Sequence, residues 1–414
     1  MERDRPIRTR PFVGVSEAAG RRLGDEEVAA LARVIHSGQL NSTIGSETRT
    51  LEEEFADYYG IGHAVASSSG TAALHLAVAA VDPDPGDEII TTALSDAGTV
   101  LPILAQNAVP VFADVDPDSG NLCVDSVRAA ITERTRAIIA VHLFGQPAPV
   151  AELRELADRH GLVLIEDCAQ AYLTECAVGD ARRWAGTVGH LGCFSLQQSK
   201  HITAGDGGLT ISDDPELTRR ARLFADKAWP RDTDERTHLF LGLNYRMTEL
   251  QAAVARVQLT KLAAVVADRR RLAEPLDTVL DSLPGLTSGL RRGAAYWLYP
   301  VFVDAETVGA DAREFAAALA AEGIPANGGY IQRPLYLTPL FTAPNTYGTS
   351  GYPLTARPVT PGASAQRYAR GLCPTTEALI DGRLLVLAWN ENYSPADIDD
   401  IADAVRSVHR RFAS

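Results

Sequence analysis

Lysine is scarce in this sequence. Of 39 basic residues only Lys200, Lys227 and Lys261 are lysine; the rest are arginine. Arginine keeps its proton at any working pH, whereas burial can neutralise a lysine and make it a nucleophile. A coding bias explains the scarcity equally well, so the neighbours of each lysine must decide. Cysteine is sparse too. Cys123, Cys168, Cys176, Cys193 and Cys373 are odd in number, scattered and without a C-x-x-C pair. That excludes a disulfide framework and a zinc ribbon, predicts no metal site, and fits free thiols in a reducing cytoplasm. No basic patch interleaved with aromatics occurs in a chain of net charge −14, which argues against nucleic acid as a partner. No apolar run reaches bilayer length, and no apolar segment follows the Arg-containing start, so neither a membrane span nor a signal peptide is expected. Two phosphate motifs are missing as well. No glycine precedes any lysine, which excludes a Walker A loop, and no G-x-G-x-x-G follows a strand.

What is present is an alternating pattern. Apolar, β-branched runs at Ala64–Ser67, Glu88–Thr92, Val109–Val115, Ala137–Leu143, Leu162–Glu166, Gly192–Leu196 and Gly208–Ser212 are separated by helical stretches such as Thr71–Val81 and Val150–His160. Such alternation predicts an α/β fold: a parallel or mostly parallel seven-stranded sheet between helices, with ligands at the carboxyl ends of the strands. An Ala-, Leu- and Arg-rich stretch over 245–275 reads as a long helix joining two domains. Beyond it, Trp297–Val303 and helices near Ala312–Glu322 and Ala396–Phe412 make a smaller α+β domain. The expected division is an arm over 1–24, a large domain over 25–270 and a small domain over 271–414. A Gly-, Pro-, Ser- and Thr-rich stretch over 341–366 has no periodicity and reads as a long loop.

Three strand ends carry chemistry. Ser69-Gly70-Thr71 leads from a strand into a helix, where exposed amides, hydroxyls and a glycine suit an anion, although a Ser/Thr helix cap looks the same. Asp167 closes the apolar run Val163-Leu164-Ile165-Glu166. A carboxylate there needs a cationic partner such as a protonated pyridine nitrogen, unless it is simply a solvated loop acid. Ser195 and Lys200 stand five residues apart ahead of Gly205-Asp206-Gly207-Gly208. A hydroxyl there can join a phosphate cup while the amine reaches a carbonyl carbon. His142 and His201 read as structural hydrogen-bonding groups, and Lys227, next to Asp226, reads as a surface salt-bridge residue.

Phosphate cup, acid and lysine in this order resemble the DegT/DnrJ/EryC1/StrS family of pyridoxal-phosphate-dependent aminotransferases. The resemblance runs through Ser69-Gly70-Thr71-Ala72-Ala73-Leu74, Pro85-Gly86-Asp87-Glu88, Val141-His142-Leu143-Phe144-Gly145 and Glu166-Asp167-Cys168-Ala169-Gln170. It continues through Phe194-Ser195 to Lys200 and into Asn244-Tyr245-Arg246-Met247. It implies an aspartate-aminotransferase-like (type I) fold and a homodimer with shared active sites. Lys200 would form the internal aldimine with pyridoxal 5'-phosphate, and Asp167 would pair with the pyridine nitrogen. Gln170 would meet the ring's 3-oxygen. Gly70, Thr71 and Ser195 would hold the phosphate, and Asn244 would reach in from the partner subunit; read from the residues alone, Asn244 is equally a helix cap.

The chain departs from the family at one place. Where an aromatic ring is usual over the cofactor, it has Ala93-Leu94-Ser95-Asp96-Ala97-Gly98-Thr99. Ser95 or Asp96 then stands at the stacking position, and either Trp229 or Tyr172 supplies a ring instead or the face is polar. The implied function is transfer of an amino group from L-glutamate or L-glutamine to a nucleotide-linked keto-sugar or a keto-cyclitol. The stretch Gln197-Gln198-Ser199-Lys200 looks more like the cyclitol enzymes. The alternatives are a dehydratase- or oxidase-type pyridoxal enzyme, against which Lys200 speaks for the dehydratase, and a non-catalytic pyridoxal-binding regulator.

Overall fold

A computed structural model describes residues 5–289, 293–355 and 368–413. The first four residues of the expected arm and the 356–366 part of the expected loop lie outside the described residues.

Strands β1 (His63–Ser67), β2 (Glu88–Thr92), β3 (Val109–Ala113), β4 (Thr135–Val141) and β5 (Val163–Asp167) alternate with helices. A hairpin, β6 (Glu175–Val178) with β7 (Ala181–Trp184), interrupts the series before β8 (Leu191–Ser195) and β9 (Gly208–Ser212). The expected sheet forms from seven of these strands, in the order β1-β9-β8-β5-β4-β2-β3. Its ladders are parallel from β8 through β5, β4 and β2 to β3, and only β9 runs against its neighbours. Helices cover both faces, so β2, β3, β8 and β9 are buried at every position. That double burial is why these runs read as continuously apolar instead of alternating.

Helices α1 (Asp25–Ser37), α2 (Glu47–Tyr59), α3 (Gly70–Val81), α4 (Leu101–Ala105), α5 (Val124–Ala130), α6 (Val150–His160) and α7 (Pro215–Ala225) precede α8, which runs unbroken over Glu249–Asp281. Thr248 and Gln251 cap α8 in a capping box. Among the described residues α8 is the one helix long and apolar enough to cross a bilayer, a reading the apolar-run count did not foresee. Its apolar positions face protein: Ala252, Leu259 and Val266 enter the core beneath the seven-stranded sheet, and Leu272, Leu276 and Leu280 enter a second core.

That second core backs an antiparallel sheet of order β10-β11-β13-β12, formed by Leu286–Thr287, Leu298–Val303, Leu384–Ala388 and Ala326–Gly328. The last helix, Pro395–Phe412, packs on it through Ile398, Ile401 and Val405. Within the described part of the expected loop, Phe341 packs edge-on to Phe112 at 5.3 Å and Leu354 is buried in the same cluster. Apolar anchors therefore give that stretch a defined seat despite its lack of periodicity.

Candidate active site

The ends of β1, β2, β5 and β8 converge on one cleft of about 370 Å³. At the end of β1, Ser69 caps α3 by accepting a hydrogen bond from Ala72 N at 3.0 Å. Gly70 opens the helix, and a Cβ there would lie 2.5 Å from the Ser195 Cβ. Only glycine lets the start of α3 close on the end of β8, which brings the α3 amides and the hydroxyls of Thr71 and Ser195 to one wall. Positive helix-end charge and hydroxyl donors without a counter-cation suit a phosphate group.

Asp167 ends β5 and is 5 % exposed. Its Oδ1 accepts from Ala169 N at 3.1 Å and its Oδ2 from the Thr99 hydroxyl at 2.9 Å. Thr99 Oγ1 lies 2.9 Å from Ser95 Oγ. The single Thr99 proton is committed to Asp167, so Ser95 donates to Thr99. Burial raises the Asp167 carboxyl, with the Ala169 amide, Thr99 and Lys200 pulling it back down. A buried acid on two donors is prepared for a cationic partner in the cleft.

Lys200 enters the cleft from the loop after β8. Burial pushes its amine down to about 8, against the upward pull of Asp167 and Asp96, although the residue keeps some solvent contact at the cleft mouth. Its Nζ sits 4.0 Å from the centroid of the Trp297 ring. Gln170 is buried beside Asp167, where its Oε1 accepts from Phe144 N at 2.6 Å and its Nε2 donates to Tyr330 Oη at 3.2 Å.

The cleft thus gathers Gly70, Thr71, Ser95, Asp96, Asp167, Gln170, Ser195 and Lys200 on one protomer. Asn244 is not among them; it is exposed in a loop and bridges to Asp226. Ser95 and Asp96 separate in role. Ser95 is buried behind the turn Ala97–Thr99, while Asp96 is exposed at the cleft and caps Gly98 N at 2.8 Å.

Neither ring suggested for the cofactor face reaches the cleft. Tyr172 is fully buried in the core and donates to Ser195 O at 3.0 Å. Trp229 borders a separate hollow of about 450 Å³ and lies edge-on to His238. The rings that do wall the cleft are Trp297 and Tyr330, carried by segments far downstream. Tyr330 opens the 330–336 stretch that the sequence offers as a source of substrate contacts, whereas Trp297 and Thr99 are residues it did not point to. The one local signal was the Asp96-x-Gly98 turn, which turns Thr99 back toward Asp167.

The remaining candidates are structural. His142 Nδ1 accepts from Ala148 N at 3.0 Å, so its proton sits on Nε2, 2.8 Å from Glu166 Oε2. Glu166 also accepts from Gly186, Val188 and Gly189 amides, so its lone pairs are spent although Cys168 lies near enough to complete a metal-like trio. His201 donates from Nε2 to Ala295 O at 2.9 Å, and burial drives its pKa well below the imidazole range. Lys227 is exposed with no ion pair among the described residues, because Arg231 and Arg246 take both oxygens of Asp226. The expected Lys227 salt bridge is therefore absent there. Arginine's forked donors suit a shared carboxylate better.

Comparison with known proteins gives this geometry its context. The model of the DegT/DnrJ/EryC1/StrS aminotransferase family matches residues 21–368. An L-glutamine:2-deoxy-scyllo-inosose aminotransferase from Streptomyces kanamyceticus is 39 % identical over 88 % of this chain and 83 % of its own. Among solved structures, S. venezuelae DesV in complex with a ketimine intermediate superposes with a TM-score of 0.82 at 31 % identity, covering 97 % of this chain and 98 % of its own.

Proposed function

Because the chain belongs to the DegT/DnrJ/EryC1/StrS aminotransferase family, we propose that it transfers the amino group of L-glutamine or L-glutamate to a ketone on a polyol ring. A carbocyclic ketone is preferred to a nucleotide-linked keto-sugar. The observation that carries the reading is the lone cleft lysine, Lys200, facing the buried acid Asp167 across a glycine-lined anion cup. The cofactor is pyridoxal 5'-phosphate, which when bound supplies an electron-withdrawing ring. Gly70, Thr71 and Ser195 hold its phosphate, Asp167 keeps its pyridine nitrogen protonated, Gln170 meets its 3-oxygen, and Asp96 borders its face.

Lys200 Nζ is the proton carrier. An amine pushed down to about 8 is partly neutral in a working cell, so Nζ can take the donor's α-proton and give it back. Asp167 stays ionised against a cation, its charge held by Ala169 N and Thr99. The acceptor preference has two supports. The relative from Streptomyces kanamyceticus is named for a cyclitol ketone. Among the described residues, the charged side chains this chain brings to the cleft are Asp96, Asp167, Asp206 and Lys200, an acid-rich set that opposes a diphosphate.

The second copy of the chain completes the site. Asn244 is exposed and outside its own cleft, and its neighbours Leu239, Leu241 and Leu243 are exposed too, Leu241 at 86 %. An apolar ridge beside a polar reaching residue fits a homodimer in which Asn244 enters the partner's cleft. The proposed division is an arm over 1–24, a large domain over 25–270 and a small domain over 271–414, supported by the two separate sheets that helix α8 links across residue 270, and free thiols fit a cytoplasmic enzyme.

The test is direct. Borohydride reduction of the loaded enzyme should fix the cofactor on the peptide bearing Lys200, and Lys200→Ala should abolish trapping. L-Glutamine or L-glutamate alone should convert the cofactor to its amino form, seen by absorbance. If neither donor does so, the transaminase reading fails; if only nucleotide-linked keto-sugars discharge the amino form, the acceptor preference fails.

A further inference from the structure

Trp297 has no part in the chemistry described so far, yet its ring lies against the Lys200 amine. Its ring centroid stands 4.0 Å from Nζ, inside the range where a cation is attracted by an indole face. The ring is held firmly. Its Nε1 donates to Ser199 O at 2.9 Å, one residue before the lysine. Its backbone N donates to Phe144 O at 2.9 Å, and Arg269 Nη1 donates to its carbonyl at 3.1 Å. Tyr330 closes the same wall at a centroid distance of 6.5 Å, edge to face. Tyr296, just before Trp297, has φ of 53°, and Tyr330 has φ of 60°. Side chains other than glycine rarely take this left-handed conformation, and its occurrence beside both wall rings points to a geometry fixed for use.

We infer that Trp297 is a positioning residue for Lys200: its indole face seats the lysine as an ammonium whenever Nζ is not bonded to the cofactor. The chemistry needs such a seat. Between taking a proton and returning it, Lys200 must carry a positive charge in a place where burial disfavours one. Asp167 on β5 and Asp96 before the 97–99 turn attract that charge, while the adjacent His201 is neutral and Tyr330 keeps its proton. Asp167 is committed to the cofactor nitrogen and Asp96 lies at the mouth. The indole face is left as the uncharged neighbour that favours the protonated amine without competing for its proton.

This inference rests on Lys200 being the cofactor lysine, which peptide mapping after borohydride reduction tests separately. The scarcity of lysine makes the seat directly observable. The full chain, grown on lysine carbon-13 labelled at Cε and loaded with pyridoxamine phosphate, should give three lysine signals. Lys227 and Lys261 serve as internal controls. In the parent protein the Lys200 Cε protons should be displaced upfield by the indole ring current. Trp297→Leu should abolish that displacement and lower the Lys200 titration midpoint by about half to one pH unit. Trp297→Phe should keep part of both effects. An unmoved midpoint in a Trp297→Leu protein whose control signals are unchanged overturns the proposal. If that variant does not fold, the parent protein still decides, because a Lys200 signal without ring-current displacement overturns it equally. A peptide map that finds the cofactor on another lysine defeats the functional reading and leaves the seat's own measurement intact.

Discussion

At the scale of single residues, the acid–base behaviour of Lys200 sets a measurable sign. Its amine lies near 8 in the fold against an ordinary 10.5. Between those values the unfolded chain binds more protons than the folded one, so stability of the cofactor-free protein rises with pH through that window. Below pH 8 the whole cost of burying the charge is present. Lys200→Met should therefore melt higher than the parent at pH 7, and the gap should close toward pH 10.5 in thermal unfolding followed by circular dichroism. Thr99 offers a second case. Thr99→Val removes the hydroxyl that donates to Asp167 Oδ2 and should weaken cofactor binding about tenfold, the worth of one hydrogen bond to a charged group. Ser95→Ala, one bond further out, should cost less, and absorbance titration of the cofactor-free protein would rank the two.

The contrast between these residues also shows what the sequence could reveal. Asp167, Gly70 and Ser195 were legible because strand-end apolar runs and cap chemistry are local properties. Ser95 and Asp96 are adjacent in sequence, but one turn buries the first against Thr99 in the cleft wall and leaves the second exposed at the cleft, a split no pattern of two residues announces. Trp297 was illegible for another reason. It stands far downstream of Lys200 and reaches it only through the packing of a second sheet.

Among the elements, β5 shows how a strand end is made rigid. Glu166 is fully buried, and its carboxylate ties β5 to His142 and to the loop at 186–189. Burial works against its charge, yet the His142 and amide hydrogen bonds prevail and hold its pKa below the usual carboxylate range. Stability from this group is present above the ordinary value of 4.5 and lost as pH falls through the depressed one. Glu166→Ala strands several buried donors and should cost about 3–5 kcal/mol in urea unfolding near neutral pH. The sheet order that surrounds β5 was predictable in kind, since repeated strand–helix alternation forces parallel pairing. The reversal of β9 was not, because antiparallel and parallel buried strands share one composition. The hairpin at 175–184 was missed because its mostly exposed, Arg-rich second strand carries no apolar run.

For the whole molecule, the exposed ridge at Leu239, Leu241 and Leu243 predicts assembly. Leu241→Glu should shift the protein toward monomer in sedimentation velocity and lower activity with it. A variant that stays a dimer at full activity would remove this ridge from the interface. Helix α8 has a different consequence. Its 33 residues extend about 50 Å and enter both apolar cores. Near its middle, Arg269 and Arg270 grip the carbonyls of Gly293, Ala294, Tyr296 and Trp297. Five residues past Arg270, Pro275 deprives the helix of one backbone donor. Mechanically this is a beam with a clamp and, just beyond it, a weakened joint. The spacing between Lys200 and its aromatic neighbour is then held by the clamp, which lies before the joint and not beyond it.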